Sequence, residues 1–443
     1  MNILKNLYIH ERFFIYISII AATFLVSHWL PILYTVAWIF VLILAVLFTF
    51  DLIILFRFKN GIIARRLLAE KFSNSDKNPI PITLTNNYPF KTFLKVIDEL
   101  PEQFQKRDFE YKTAIDSLNT SNFEYQVLPV ERGEYHFGTL NVYASSNLQI
   151  LAKRYRFDTA QMVAVYPSYI QMRKYEFLAM SNRLTEFGLK KIRRIGHTME
   201  FEQIKNYVAG DDVRTINWKA TAKRAQLMVN QYQDEKSQPI YSIIDLGRVM
   251  KMPFEELKLI DYAINATLAF SNIALLKNDK AGLLTFSKKV DTIIAASNKR
   301  THINILNEAL YNTDTQFTDS DYGYLYATIK KKITHRSLLI LYTNFEHISA
   351  LKRQLPFLKA IARKHLLVTV FFENTELDVL ISKNTEDLQN IYHKTIAEKF
   401  AYEKRLIVKE LESRGVHAIL TKPKHLTVNV INKYLEFKAK GVI

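Results

Sequence analysis

The chain has 443 residues, 49% of them hydrophobic, with 60 Lys and Arg against 43 Asp and Glu and a formal net charge of +17. That length and apolar content suit two or three folded domains and exclude a disordered chain. The absence of cysteine and of any GxxxxGK or GxGxxG string excludes disulfide scaffolds, thiolate metal sites, Cys nucleophiles and phosphate-cradling glycine loops.

From Phe13 to Phe50 no residue carries a formal charge. As one helix this run would reach about 57 Å, about twice the hydrocarbon thickness of a bilayer, so it predicts two spans, about 13–30 and 33–56, joined at His28, Trp29 and Pro31. Lys5 and Arg12 precede the hairpin, and Arg57, Lys59, Arg65, Arg66 and Lys71 follow it, while the turn is uncharged. The positive-inside rule then places both flanks and all later domains in the cytoplasm, on the inner membrane. No A-x-A cleavage site follows the first apolar run, which argues against a signal peptide. Asp51 is expected at the interface near Arg57. Residues 1–77 thus form the hairpin with a basic juxtamembrane segment.

Residues 78–170 alternate in short runs such as ITLTNNY, FEYQVLPV and MVAVYP, broken by Asn, Pro, Gly and Ser. This pattern predicts a small β-sandwich. RGEYHFG, with Arg132, Gly133, Tyr135 and Gly138, reads as a hairpin turn flanked by aromatic packing.

Residues 171–236 read as a charged linker around YVAGDDVRTINWKATAKRAQLMVNQYQDE. Gly210 permits a sharp turn, and Asp211 or Asp212 is placed to cap a helix from about Val213 to Arg224. Trp218 is expected to need its own pocket, and LMVNQYQ reads as a strand. Here the chain resembles the domain of unknown function 58 family, whose members carry GD-x-x-R-x-I-D-W-x-x-(S/T)-A-R at this point. Gly210, Asp211, Arg214, Ile216, Trp218, Thr221 and Ala222 match, whereas Asn217 and Lys223 stand where the family has Asp and Arg. The paired acids invite a catalytic reading, but capping accounts for them without a substrate.

From 237 to 443 continuous apolar strands, PIYSIIDL, AGLLTFS, LLILYTN, LLVTVFF and HAILT, alternate with helical stretches, and KVDTIIAAS reads as the hairpin partner of AGLLTFS. This order predicts a doubly wound α/β sheet, with ligands at the carboxyl ends of its strands. The resemblance implies that it is a von Willebrand A-like, Rossmann-like domain. Such domains bind a divalent cation through D-x-S-x-S, a Thr and a second Asp. This chain keeps Asp245 but has Gly247 and Val249 for the two serines, and Asn344 for the second Asp, with Thr318 as the remaining loop candidate. No cofactor is therefore expected, magnesium being the alternative, and Arg248 is placed to neutralise Asp245. An apolar stripe through Leu388, Ile391, Ile396, Phe400, Leu406 and Leu411 is expected to pack on the domain's own sheet.

The resemblance implies a membrane-anchored scaffold that partners a MoxR-type AAA+ ATPase in the assembly or maturation of other complexes, with no enzymatic activity of its own. The expected interaction residues are Tyr207, Gly210, Asp211, Asp212, Arg214, Trp218 and Arg248. A metal-dependent ligand receptor is the alternative. No nucleophile and base at recognisable spacing support a hydrolase, and no recognised motif accompanies the basic charge, so specific nucleic-acid binding is not expected.

Overall fold

The computed structural model describes residues 3–106, 109–157, 161–180, 199–234, 237–254, 257–382 and 388–443. They divide into two units, Met1–Tyr166 and Pro167–Ile443.

The first unit opens with a single helical turn (Ile3–Asn6) and β1 (Leu7–Ile9), followed by two apolar helices, α1 (Glu11–Val26) and α2 (Ile32–Arg57). The helices pack antiparallel: Phe13 meets Phe48 near the open end, and Phe24 meets Tyr34 and Trp38 near the turn. At 26 residues, α2 is long and apolar enough to cross a membrane. α1 has 16 residues and buries none of them fully; Phe13 at its start packs against the core of the unit.

The remainder of the unit is β-structure: β2 (Ile62–Arg66), β3 (Lys71–Ser73), β4 (Asn78–Asn86), β5 (Thr92–Asp98), β6 (Glu110–Ile115), β7 (Thr120–Val127), β8 (Gly133–Phe137), β9 (Leu140–Ser145), β10 (Leu151–Phe157) and β11 (Gln161–Tyr166). A five-stranded sheet, β1-β10-β9-β5-β6, shares a core with the sheet β2-β4-β7. A third sheet, β3-β11-β8, encloses Phe72, Tyr135, Phe137 and Val165. The aromatic packing read into RGEYHFG is therefore internal.

This sheet structure does not begin at 78. The stretch read as a basic juxtamembrane segment contains β2 and β3, because Ile62, Ala64 and Arg66 alternate inward. Arg66 is fully buried against Asp98, which also accepts from the Tyr125 hydroxyl at 2.6 Å. An inward arginine hid the strand period in the sequence. Asp51 also departs from expectation. It is wholly buried rather than paired with Arg57 at an interface, and its oxygens accept from Ser146 Oγ at 2.5 Å and from the Leu151 amide at 2.9 Å. At the end of α2, Tyr88 donates to the Leu55 carbonyl at 2.8 Å, and the buried ammonium of Lys153 donates to the carbonyls of Leu55 and Phe58. These donors satisfy carbonyls that a helix C-terminus leaves open, so α2 is bonded into the β-structure below it.

The second unit begins with α3 (Tyr169–Met180), part of the stretch read as linker. Its Glu176 accepts from Asn272 at 3.1 Å, and the Ser168 amide just before it donates to Asn265 at 2.9 Å. Residues 181–198 lie outside the described residues. An antiparallel hairpin, β12 (Met199–Asn206) with β13 (Met228–Asp234), carries α4 (Trp218–Arg224) in its long connection.

The C-terminal domain runs β14 (Pro239–Asp245), α5 (Leu259–Leu276), β15 (Lys280–Phe286), β16 (Val290–Ser297), α6 (His302–Tyr311), α7 (Tyr322–Lys332), β17 (Leu338–Tyr342), α8 (Ile348–Ala362), β18 (Leu366–Phe372), α9 (Thr375–Ser382), α10 (Leu388–Ser413), β19 (His417–Thr421) and α11 (Leu426–Ala439). The sheet order is β16-β15-β14-β17-β18-β19, parallel throughout except for the β16 hairpin. This is the von Willebrand A-like, doubly wound order, with helices on both faces. Ile340 and Tyr342 of β17 face the core made with α5, α6 and α11, whereas Leu339 and Leu341 face α7, α8 and α10. The helix α10 packs through Ile407 and Leu411 on its own domain, while Ile391 near its start is exposed. β14 lies where the strand order reverses, and Asp245 is its last residue.

Candidate functional site

Asp245 is 1% exposed and its carboxylate is encircled by donors. Oδ1 takes the Gly247 amide at 2.8 Å and the hydroxyl of Ser320. Oδ2 lies 2.7 Å from Thr343 Oγ1 and 3.1 Å from the Tyr322 hydroxyl, and these two hydroxyls are also within hydrogen-bond distance of each other, so their two protons are shared among three contacts. Burial pushes the Asp245 carboxyl above its ordinary range, while the four donors pull it back. Burial, with the Asp245 charge second, raises the Tyr322 phenol.

The residues present do not fit a divalent cation, which requires several oxygen ligands with free lone pairs. A Cβ on Gly247 would collide with Ser320 Oγ and come within 3.0 Å of Asp245 Oδ1, so Ser320 already fills the space of the first lost serine. Asn344, the expected second ligand, turns its amide oxygen to the ammonium of Lys404 at 2.5 Å and its amide nitrogen to Glu346 at 2.6 Å. A protein ammonium thus stands at the expected second ligand. Burial lowers the Lys404 pKa against the opposing charge of Glu346. Thr318 offers a buried hydroxyl without a hydrogen-bond partner, but one hydroxyl beside a saturated carboxylate is not a ligand set.

Arg248 does not neutralise Asp245. Its guanidinium pairs with the exposed Asp319 at 2.9 Å, and its backbone amide donates to the Thr318 carbonyl at 3.0 Å. Four hydroxyl and amide donors stabilise the buried carboxylate without a counter-charge, as hydrogen bonding to the charged form does generally.

The motif residues are brought together on the β12–β13 hairpin. The amide of Tyr207 donates to the Leu227 carbonyl across its open end, and Gly210 takes φ +113°, a left-handed-side conformation that a Cβ disfavours. Asp211 closes the turn, accepting from the Val208 amide and from Lys205 Nζ, each at 3.0 Å. The Val208 amide first, then Lys205, hold its carboxyl below the ordinary range. Asp212 caps a short 3-10 turn at Val213–Thr215 by accepting from the Arg214 amide. The Arg214 side chain itself is exposed.

The expected continuous helix from 213 to 224 is split. Ile216 bridges to Val229, and Asn217 then caps α4 by accepting from the Ala220 amide at 3.0 Å. Asn217 Nδ2 also donates to Asn230 at 2.9 Å, and Thr221 Oγ1 accepts from the Met228 amide at 3.0 Å. Asn and Asp are both good N-caps, which explains why Asn serves where the family carries Asp. Trp218 has no pocket: it is 69% exposed, and Val208 and Val213 of the same connection are also exposed. As the first residue of α4, its side chain precedes the turn that packs on the hairpin.

Sequence reasoning located Asp245 and the motif but missed Ser320, Tyr322, Thr343 and Lys404. Each comes from a distant loop or helix without characteristic spacing. Only the hydroxyl-rich stretch Thr318–Asp319–Ser320 beside the expected Thr318 signalled them.

Residues 203–379 match the model of a family described as "Protein of unknown function DUF58". The uncharacterized protein YeaD of Bacillus subtilis (strain 168) is 24% identical over 234 residues, 51% of this chain and 56% of that one, so the chain spans about half the length of this curated relative. Among solved structures, the conserved hypothetical protein BatB from Bacteroides thetaiotaomicron is similar at 11% identity, over 46% of this chain and all of that one, with a TM-score of 0.32. The SpRpn10 VWA domain is similar at 10% identity, over 44% of this chain and 95% of that one, with a TM-score of 0.28. The fold assignment rests on the strand order of the chain itself. The resemblance carried by the GDDVRTINW motif is thus matched by the family model over residues 203–379, which hold the motif connection and strands β14 to β18.

Proposed function

We propose that this protein is a membrane-anchored scaffold of the bacterial inner membrane that acts by binding, with its folded units in the cytoplasm and a MoxR-type AAA+ ATPase as its partner. The observation that carries this reading is the motif connection. Asp211, Asp212, Asn217 and Thr221 are spent in holding the connection in shape, and Trp218 is left outward, where an exposed tryptophan suits contact with another protein. The ATPase as partner rests on the family resemblance. The placement of both flanks on one side of the bilayer is supported by β1, which precedes α1 and pairs with β10, and by Asp51 near the end of α2, which bonds to the start of the same strand. Basic residues on both flanks agree with that orientation.

The partner reading is tested by co-expressing the full-length protein with a MoxR-type ATPase and crosslinking in cells. Wild type is expected to capture the ATPase and Trp218→Ala to lose it while remaining in the membrane fraction. Equal capture by both would remove Trp218 from the interface, and no capture with both proteins expressed would overturn the partnership. Orientation is read separately. Because the chain has no cysteine, a single His28→Cys is expected to react with an impermeant maleimide from the periplasmic side, and Asn87→Cys is not.

A further inference from the structure

A cavity of about 620 Å³ lies in the first unit at the foot of α1. Its floor is the outward face of the five-stranded sheet. Strand register places Lys112, Lys95, Tyr143 and Arg154 opposite one another across β6, β5, β9 and β10. Three cations therefore stand in one cross-strand row, and like charges placed opposite one another repel. Glu110 relieves part of this, reaching Lys95 at 2.5 Å and Lys112 at 2.9 Å. Both lysine side chains remain substantially exposed, at 41% and 71%, so these pairs are of the surface kind that an incoming anion displaces readily. Arg154 is bonded to the Tyr8 hydroxyl at 2.9 Å.

The walls have a different character. Ile9, His10 and Glu11 line the side where β1 turns into α1, and Phe93 and Ile97 line the sheet beside the lysines. Ile9 is 48% exposed and Tyr8 is 37% exposed, immediately before the uncharged run that starts at Phe13. Burial lowers the His10 pKa, with the Glu11 charge opposing it and the charges of Arg12, Lys112 and Lys95 adding to it. An anionic headgroup and the first carbons of an acyl chain present the same two chemistries in the same order.

We propose that this cavity binds one anionic phospholipid, its phosphate on the Lys95–Lys112 row and its glycerol and upper acyl region against Ile9, Phe93 and Tyr8. The proposal rests on the reading of α1 and α2 as the membrane anchor. The carboxylate of Glu110 is the competitor that the phosphate displaces from the two lysines.

The test uses the full-length protein in nanodiscs of equal phosphatidylglycerol and phosphatidylcholine, followed by native mass spectrometry of the lipid retained. Phosphatidylglycerol is expected to be retained preferentially. Each cation beside an anionic surface is worth about a factor of five, so Lys95→Gln with Lys112→Gln is expected to lower the preference by about twenty-five-fold. Glu110→Gln is expected to raise it, which a merely structural role for the ion pairs would not do. Equal retention of both lipids, or an unchanged preference in the double variant, overturns the proposal. Full competition by soluble glycerol phosphate also overturns it, showing a free-anion site instead. Extraction of the protein by alkaline carbonate overturns the anchor reading and this proposal with it, whereas an integral protein without lipid preference overturns this proposal alone.

Discussion

Ser320 donates its hydroxyl to Asp245 Oδ1, the same oxygen that accepts the Gly247 amide at 2.8 Å, across 75 residues of sequence. The carboxylate expected from sequence to face a metal is enclosed by the chain's own donors.

Asp245→Asn is expected to fold, because the amide oxygen retains the Gly247 and Ser320 bonds and the Tyr322 and Thr343 hydroxyls can rotate to accept. The folded-state pKa of Asp245 is raised by burial, so its contribution is fully present below the unfolded value of about 3.9 and is lost as pH rises through the folded value. Asn has no such loss. The stability of Asp245→Asn relative to wild type should therefore grow from about pH 4 upward and then level off, as read by parallel urea unfolding. Asp245→Ala strands buried donors and is expected to cost about 2–4 kcal/mol.

Gly247→Ser, which restores the first serine of the metal motif, is expected to destabilise by about 1–3 kcal/mol through collision with Ser320. Ser320→Ala in the same chain should recover part of that loss, giving a coupling energy measurable in a double-mutant cycle. Magnesium or manganese up to the millimolar range should shift the thermal midpoint of neither wild type nor Gly247→Ser. Stoichiometric metal in the purified protein that disappears on Asp245→Ala would revive the receptor reading.

Asn217→Ala removes the cap of α4 and is expected to cost about 1 kcal/mol, whereas Asn217→Asp should be close to neutral. Trp218→Ala touches no buried contact and should change stability by less than about 0.5 kcal/mol. Thermal melts of the three variants separate the residue that builds the cap from the one that the cap displays.

Asp51→Ala leaves the Leu151 amide and Ser146 Oγ without their buried acceptor and is expected to lower stability by about 1–3 kcal/mol. The thermal midpoint of the detergent-solubilised protein is the readout. An effect near zero would show that solvent reaches that site.

Five of the six C-terminal strands were legible because each is a continuous apolar run, and the sixth, the hairpin partner β16, because it alternates. Asp245 was legible as the polar end of such a run. The hydroxyls around it were not, since nothing in local sequence tells which Ser, Thr or Tyr a fold will carry to a distant carboxylate. β2 was hidden for the opposite reason, because Arg66 in an inward position made a strand read as a basic surface segment, while β1 and β3 are only 3 residues long and carry too little pattern to read. Trp218 shows the limit of residue type as a guide, because a large aromatic implies burial only when the chain around it leaves room.

The bonds from Asp51 to Ser146 and Leu151 also set a ruler. In the proposed membrane anchor, with folded protein reaching that carboxylate, hydrocarbon would surround α2 only from Ile32 to about Phe50, a length of about 28 Å at 1.5 Å per residue, close to the thickness of a bilayer core. The last turns of the helix then belong to the headgroup layer and the β-structure. Lengthening α2 beyond Asp51 would lift the folded unit away from the membrane, whereas adding residues before it would strain the fit within the lipid.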